Sequence, residues 1–231
     1  MIKRIAVIFV AVLLCLVFIE VVNLLELKAN IGRYADYWRT QATASGDFTY
    51  VVLGDSAAQG LGASKPQFGY VGLLAKQIAQ TTGKRVRVVN LSVSGAQTED
   101  VINKQLPELK NYKPDLLTVE IGFNNVTHWN PTTFAEQYNQ LASALPAGTI
   151  VANVPYFGGR IRLNPEAVAA NKIIAQAATR YQLKLVDLQT YTHDRQSLFN
   201  YSWDLLHPSN RGYHNWNAAF WQVVRPTLPT K

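Results

Sequence analysis

The chain has 231 residues, 48% hydrophobic and 16% charged, enough to bury a substantial core in one domain of roughly 180 to 200 residues once an apolar N-terminus is set aside. Its formal net charge of +7 comes from scattered Lys and Arg with no run of five or more basic residues, which argues against nucleic acid as a partner. Cys15 is the only cysteine, so an intrachain disulfide and a Cys-x-x-Cys metal site are both excluded.

Residues 5–19 are uncharged and apolar apart from Cys15, and the apolar character resumes after Glu20 and runs to Leu25. At about 1.5 Å rise per residue this stretch reaches roughly the 30 Å of a hydrocarbon core, so one N-terminal transmembrane helix is expected. Glu20 is costly in lipid and is tolerated near a helix end. A cleaved signal peptide is the rival reading, because Lys3 and Arg4 form a basic leader before an apolar core. No small-x-small cleavage site follows, which favours an uncleaved anchor. The basic leader orients the N-terminus to the cytoplasm, giving a single-pass membrane protein with an extracytoplasmic domain, or a secreted one if the segment is removed. The expected organisation is an anchor or signal over 1–28, a juxtamembrane linker over 29–46, and one domain over 47–231. Tyr34, Tyr37 and Trp38 suit either a plain linker or an interfacial belt.

Within the domain, short β-branched or apolar runs at 48–53, 86–91, 116–121, 149–154 and 183–188 predict five strands. Helical patterns at 70–81, 98–111, 132–145, 165–181 and 210–224 alternate with them, with Thr98 and Asn164 as helix starts. Such alternation predicts an α/β fold with a parallel sheet covered on both faces. Ligands in these sheets bind beyond the C-terminal strand ends, where the strand order switches. Three loops with chemically useful residues fall at those ends: Gly54-Asp55-Ser56, Ser94-Gly95, and Gly122-Phe123-Asn124-Asn125.

A hydroxyl at a strand-to-loop junction is suited to nucleophilic attack when a base is near. The segment Asp204-Leu205-Leu206-His207-Pro208 supplies one, because an Asp three residues before a His on a tight turn can hold Nδ1–H and leave Nε2 free to take a serine proton. Asn124 and the Gly95 N–H, with the N–H of Ser56, are candidate donors to a developing oxyanion. His128, His193 and His214 have no comparable setting and read as solvated or structural. Without a His-Glu-x-x-His motif, a Walker lysine or a complete dinucleotide glycine pattern around Gly60-Leu61-Gly62, no metal and no cofactor is expected.

Ser56, Gly95, Asn124 and His207 stand in the chain order of the four blocks of the SGNH hydrolases, the Gly-Asp-Ser-Leu type lipases and esterases, and the resemblance spans about residues 48–221. It implies a three-layer αβα sandwich of SGNH/flavodoxin-like type with a five-stranded parallel sheet. It also implies Ser56 as nucleophile, His207 as base, Asp204 as its partner, and Ser56, Gly95 and Asn124 as the oxyanion hole. Ala57 stands where the family's named leucine is usual, and Asn125 where its third block commonly has Asp. The activity implied is hydrolysis of carboxylic esters through an acyl-enzyme, on small-molecule, lipid or envelope-glycan esters. An acyltransferase with the same triad and a non-catalytic membrane-anchored binding domain are the alternatives. Trp129, Tyr156, Phe157, Tyr201 and Trp203 are candidates to line a sugar or acyl site, and Arg160 and Arg162 to meet an anion.

Overall fold

The computed structural model describes residues 2–229, with the side chains of residues 9, 10 and 12–229. It opens with helix α1 (Ile2–Ala42), followed by β1 (Phe48–Gly54), α2 (Ser56–Gln59), α3 (Tyr70–Thr82) and β2 (Val86–Asn90). The next helical stretch is built from α4 (Thr98–Asp100), a π-helical turn (Val101–Gln105) and α5 (Leu106–Leu109), and leads into β3 (Leu116–Glu120). Then come α6 (Phe123–Thr127), α7 (Pro131–Ala144), β4 (Ile150–Ala152), α8 (Asn164–Arg180), β5 (Lys184–Val186), α9 (Leu188–His193) and α10 (Asn210–Val224).

The five strands form one parallel sheet in the order β2-β1-β3-β4-β5. The chain builds outward from β1 to β2, then returns to the other side of β1 to add β3, so the order reverses between β1 and β3. In open α/β sheets such a reversal is where ligands bind, beyond the strand ends. β3 is buried along its whole length and β1 at every residue but Thr49, as central strands covered on both faces require.

Two cores lie on opposite faces of the sheet. Val51, Leu53 and Val119 pack with Phe134, Tyr138 and Ile174 from α7 and α8. Tyr50 and Val52 pack with Tyr70, Leu74, Tyr213 and Phe220 from α3 and α10. Tyr70 stacks on Phe220 with centroids 4.5 Å apart, a pairing worth about 0.5–1.5 kcal/mol beyond the area it buries. Helix ends follow local chemistry. Asn130 caps α7 through Thr133 N–H with Pro131 in the first turn, Ser209 caps α10 through Gly212 N–H, and Gly83 ends α3 at φ +71. Two expected starts shift by a residue: Gln97, in a capping box with Asp100, is the cap before Thr98, and Asn164 lies inside the first turn of α8.

The N-terminal expectation needs correction. Among the described residues no helix is long and apolar enough to cross a membrane. Part of the expected span, the side chains of residues 5–8 and 11, lies outside the described set. The helix that begins there continues without a break to Ala42, through most of the stretch expected as a linker. Tyr34 and Trp38 are buried rather than exposed as a belt. One turn apart, they fall on the same helical face. Tyr34 donates to the Ala63 carbonyl at 2.6 Å and Trp38 Nε1 to the Gln59 carbonyl at 2.9 Å, so the end of α1 braces the segment that follows β1.

Candidate active site

β1 ends at Gly54, and the chain turns at Asp55 into α2, of which Ser56 is the first residue. Ser56 Oγ lies 2.9 Å from His207 Nε2. His207 Nδ1 lies 2.5 Å from Asp204 Oδ2, and the other carboxylate oxygen of Asp204 accepts the N–H groups of Leu206 and His207, each at 3.0 Å. That reach demands a tight turn. Leu205 adopts φ +53, an uncommon conformation for a residue with a Cβ, held by Leu205 N–H to Ser202 O and Ser202 N–H to His207 O. Burial raises the Asp204 carboxyl, but the His207 imidazole and the two N–H groups outweigh it and hold the acid below its usual range.

Gly62 sits directly behind the histidine at φ +94, and a Cβ there would come within 2.7 Å of His207 Cβ and 2.5 Å of the Pro208 carbonyl. Its glycine permits the close approach of these two chain segments. Phe123 flanks the imidazole with centroids 6.4 Å apart.

The other expected site residues gather at the same rim. Gly95 takes φ +82 in the loop after β2, a conformation glycine adopts without strain. Gln59 holds that loop to α2, donating to Ser92 O at 2.8 Å and accepting from Ser94 Oγ at 2.6 Å. Asn124 Nδ2 donates to the Ala96 carbonyl at 2.9 Å and to Asp55 Oδ2 at 3.2 Å. Asn125 is buried, and its Oδ1 accepts both the N–H and the hydroxyl of Thr98 at 3.0 Å. An amide oxygen thereby does the accepting that a carboxylate at this position would do, and the β3–α6 loop stays tied to the start of α4.

Several residues that position the site carry no motif. Gln105, brought inward by the π turn, accepts from Gly54 N–H at 2.9 Å and donates to Gly54 O at 2.8 Å, satisfying both peptide groups beside the serine. Arg160 donates to the Asp204 carbonyl at 3.0 Å. Tyr201 accepts from Gly158 N–H and donates to Tyr156 O, and with Phe157 and Tyr156 it lines a small cavity beside Phe123. Trp203 is 70% exposed and lines a groove of about 1040 Å³ between α1 and the Asp204 loop. Ser56 and His207 do not line that groove.

A relay of hydroxyl, imidazole and carboxylate beside amide donors at a parallel-sheet switch point is suited to acyl transfer. A model of the GDSL-like lipase/acylhydrolase family matches residues 52–214, which takes in all of these elements. The chain belongs to that family. Esterase TesA of Pseudomonas aeruginosa is 38% identical to the chain over 77 residues, 33% of this chain and 37% of that esterase. The aligned stretch therefore spans little more than a third of the curated relative. Among solved structures, a lipase/acylhydrolase from Enterococcus faecalis matches with a TM-score of 0.67 at 22% identity, over 80% of this chain and 98% of that one. The acetylxylan esterase Axe2 from Geobacillus stearothermophilus matches at 0.64 and 20%, over 78% of this chain and 95% of that one. At such identities the likeness is one of fold.

Proposed function

We propose that this protein hydrolyses carboxylic esters through an acyl-enzyme on Ser56, with His207 as general base and acid, Asp204 as its orienting partner, and Ser56 N–H, Gly95 N–H and Asn124 as the oxyanion hole. The observation that carries this reading is the unbroken relay from Ser56 Oγ through His207 to Asp204, at 2.9 and 2.5 Å. As Oγ bonds to the ester carbon, its proton passes to His207 Nε2 and the carbonyl electrons move onto oxygen. Collapse of this tetrahedral species expels the alcohol, which leaves with the proton from His207. Water then repeats the sequence and releases the acid and free Ser56. Asp204 keeps its charge throughout and steadies the imidazolium.

Both hydrogens of the Asn124 amide are engaged in the resting site. An oxyanion takes one of these hydrogens by displacing its resting acceptor. The Ser56 N–H opens α2 and belongs to the first-turn groups that have no intrahelical acceptor.

Turnover of a panel of acetyl, long-acyl and thioester substrates, each with and without an alcohol acceptor, tests the reading. Wild type should release the acid, Asn124→Ala should lose on the order of a hundredfold in kcat, and Ser56→Ala should show no turnover above background. Ser56→Ala retaining wild-type activity would overturn it, and transfer to the acceptor in place of hydrolysis would assign the second step to an acyltransferase.

For the substrate class we infer acyl or acetyl esters of lipids or envelope glycans, met outside the cytoplasm by a domain held at a membrane. Two features support this placement: the apolar sequence of residues 5–25, and the exposed side chains α1 carries there, Phe9, Leu14, Phe18 and Leu25 among them. Fractionation of expressing cells checks it, with the full chain expected in the membrane fraction and recovery in the soluble fraction as the contrary result.

A further inference from the structure

Two carboxyl groups lie behind Ser56 that the proposed relay does not use. Asp55 is 0% and Glu120 is 1% exposed. They meet because β1 and β3 pair in register, with Gly54 opposite Glu120, so the last side chain of β3 lies beneath the turn that carries Ser56. Asp55 Oδ1 accepts Ala57 N–H at 2.9 Å and fixes the first turn of α2, while Oδ2 accepts the Asn124 amide at 3.2 Å. The register and the burial of both groups set Glu120 close to Asp55, and Glu120 Oε2 has no partner among the described residues.

Two ionised carboxylates close together and out of water repel strongly, and a hydrogen bond between them requires one proton. The distribution of donors decides which group holds it. Asp55 receives two N–H donors, as an anion should, and among the described residues Glu120 Oε2 receives none. We propose that Asp55 and Glu120 are positioning residues of the esterase site, in which a neutral Glu120 donates its proton to an ionised Asp55 and so locks the acceptor that aims Asn124 and the Ser56 turn. This assignment rests on the ester-hydrolysis reading for its kinetic consequence but not for the proton itself.

Burial pushes Asp55 up to about 6, and burial together with the neighbouring charge of Asp55 drives Glu120 well above the usual carboxyl range. The other ionisable groups that face the pair are Tyr70 of α3, Tyr138 of α7, Tyr213 of α10 and His207. Of these only the imidazole can become a cation, so compensation for a second negative charge is slight. Raising the pH through the Glu120 ionisation breaks the bond, loosens Asp55 and degrades the oxyanion hole. This step is expected to appear as an alkaline limb in the pH profile of kcat.

Glu120→Gln and Glu120→Met separate positioning from packing. Glutamine keeps a donor toward Asp55 and cannot ionise, whereas methionine fills the space with no donor. With a soluble activated ester, Glu120→Met should lose about tenfold or more in kcat at little changed KM. Glu120→Gln should restore most of that loss and move the alkaline limb to higher pH. Equal kcat and identical pH profiles in the two variants would overturn the proposal. Infrared difference spectroscopy reads the proton without any turnover. Wild type should show the band of a protonated carboxyl group at neutral pH, and Glu120→Gln should lack it. Absence of that band in wild type sinks the proposal even if the ester is hydrolysed, and its presence in a protein that hydrolyses nothing would sink only the functional reading.

Discussion

At the scale of residues, the chemistry depends on how Asp204 is held. Its carboxylate accepts three donors, one imidazole and two backbone N–H groups, within a four-residue turn. Asp204→Asn keeps the shape but offers an amide that can present its N–H to Nδ1, turning the imidazole to the wrong tautomer. The same change in serine-protease triads costs on the order of 10⁴ in kcat, and a loss of about that size is expected here. The depressed pKa of Asp204 has a stability consequence of definite sign. A carboxyl lowered in the folded state stabilises the protein above its unfolded pKa, about 3.9, and that contribution disappears as the pH falls through the folded value. Melting temperatures of wild type and Asp204→Asn should therefore differ at neutral pH and converge in acid, and a difference independent of pH would contradict this account. Ser56 and His207 were legible in the sequence because each sits beside a signal of backbone geometry, a strand end for one and an Asp–Pro framed turn for the other. Glu120 was not. At the end of Leu-Leu-Thr-Val-Glu it reads as a polar residue closing a strand, and only the register with Gly54 shows that it is buried against Asp55.

At the scale of elements, the alternation of apolar runs and amphipathic stretches was enough to locate the five strands and five long helices to within a few residues. Short helices escaped. α2, α6 and α9 have 4, 5 and 6 residues, fewer than two turns, so no period can be read from them. The stretch after Thr98 reads as one regular helix, yet it holds a π turn over Val101–Gln105. That extra residue per turn reorients Gln105 so that its amide pairs with both peptide groups of Gly54, a service that a regular helix would have directed elsewhere. Gln59 does the equivalent work between α2 and the Gly95 loop. Neither glutamine belongs to a motif, because each acts on backbone that only tertiary structure brings within reach.

At the scale of the whole molecule, the strand order places every candidate residue at one rim. The reversal between β1 and β3 separates the Ser56 turn from the Asn124 loop by one strand spacing, and β2 adds Gly95 on the other side. The Asp204–His207 turn comes from more than 140 residues away in sequence, delivered by the segment that opens α10. α1 contributes as well, since Tyr34 and Trp38 clamp the segment from Gln59 to Ala63 just beyond Ser56. Their spacing of four residues was a visible sign of a helix face, but aromatic residues after an apolar stretch suit a membrane interface equally, and the sequence contains nothing to choose between them. The central claim is that this convergence makes Ser56 a nucleophile. Its most direct test is to treat the folded protein with a fluorophosphonate and map the adduct by peptide mass spectrometry. One phosphonyl group on Ser56, lost when His207 is changed to Ala, is the predicted result, whereas folded protein that stays unmodified or carries the adduct on another residue would contradict it.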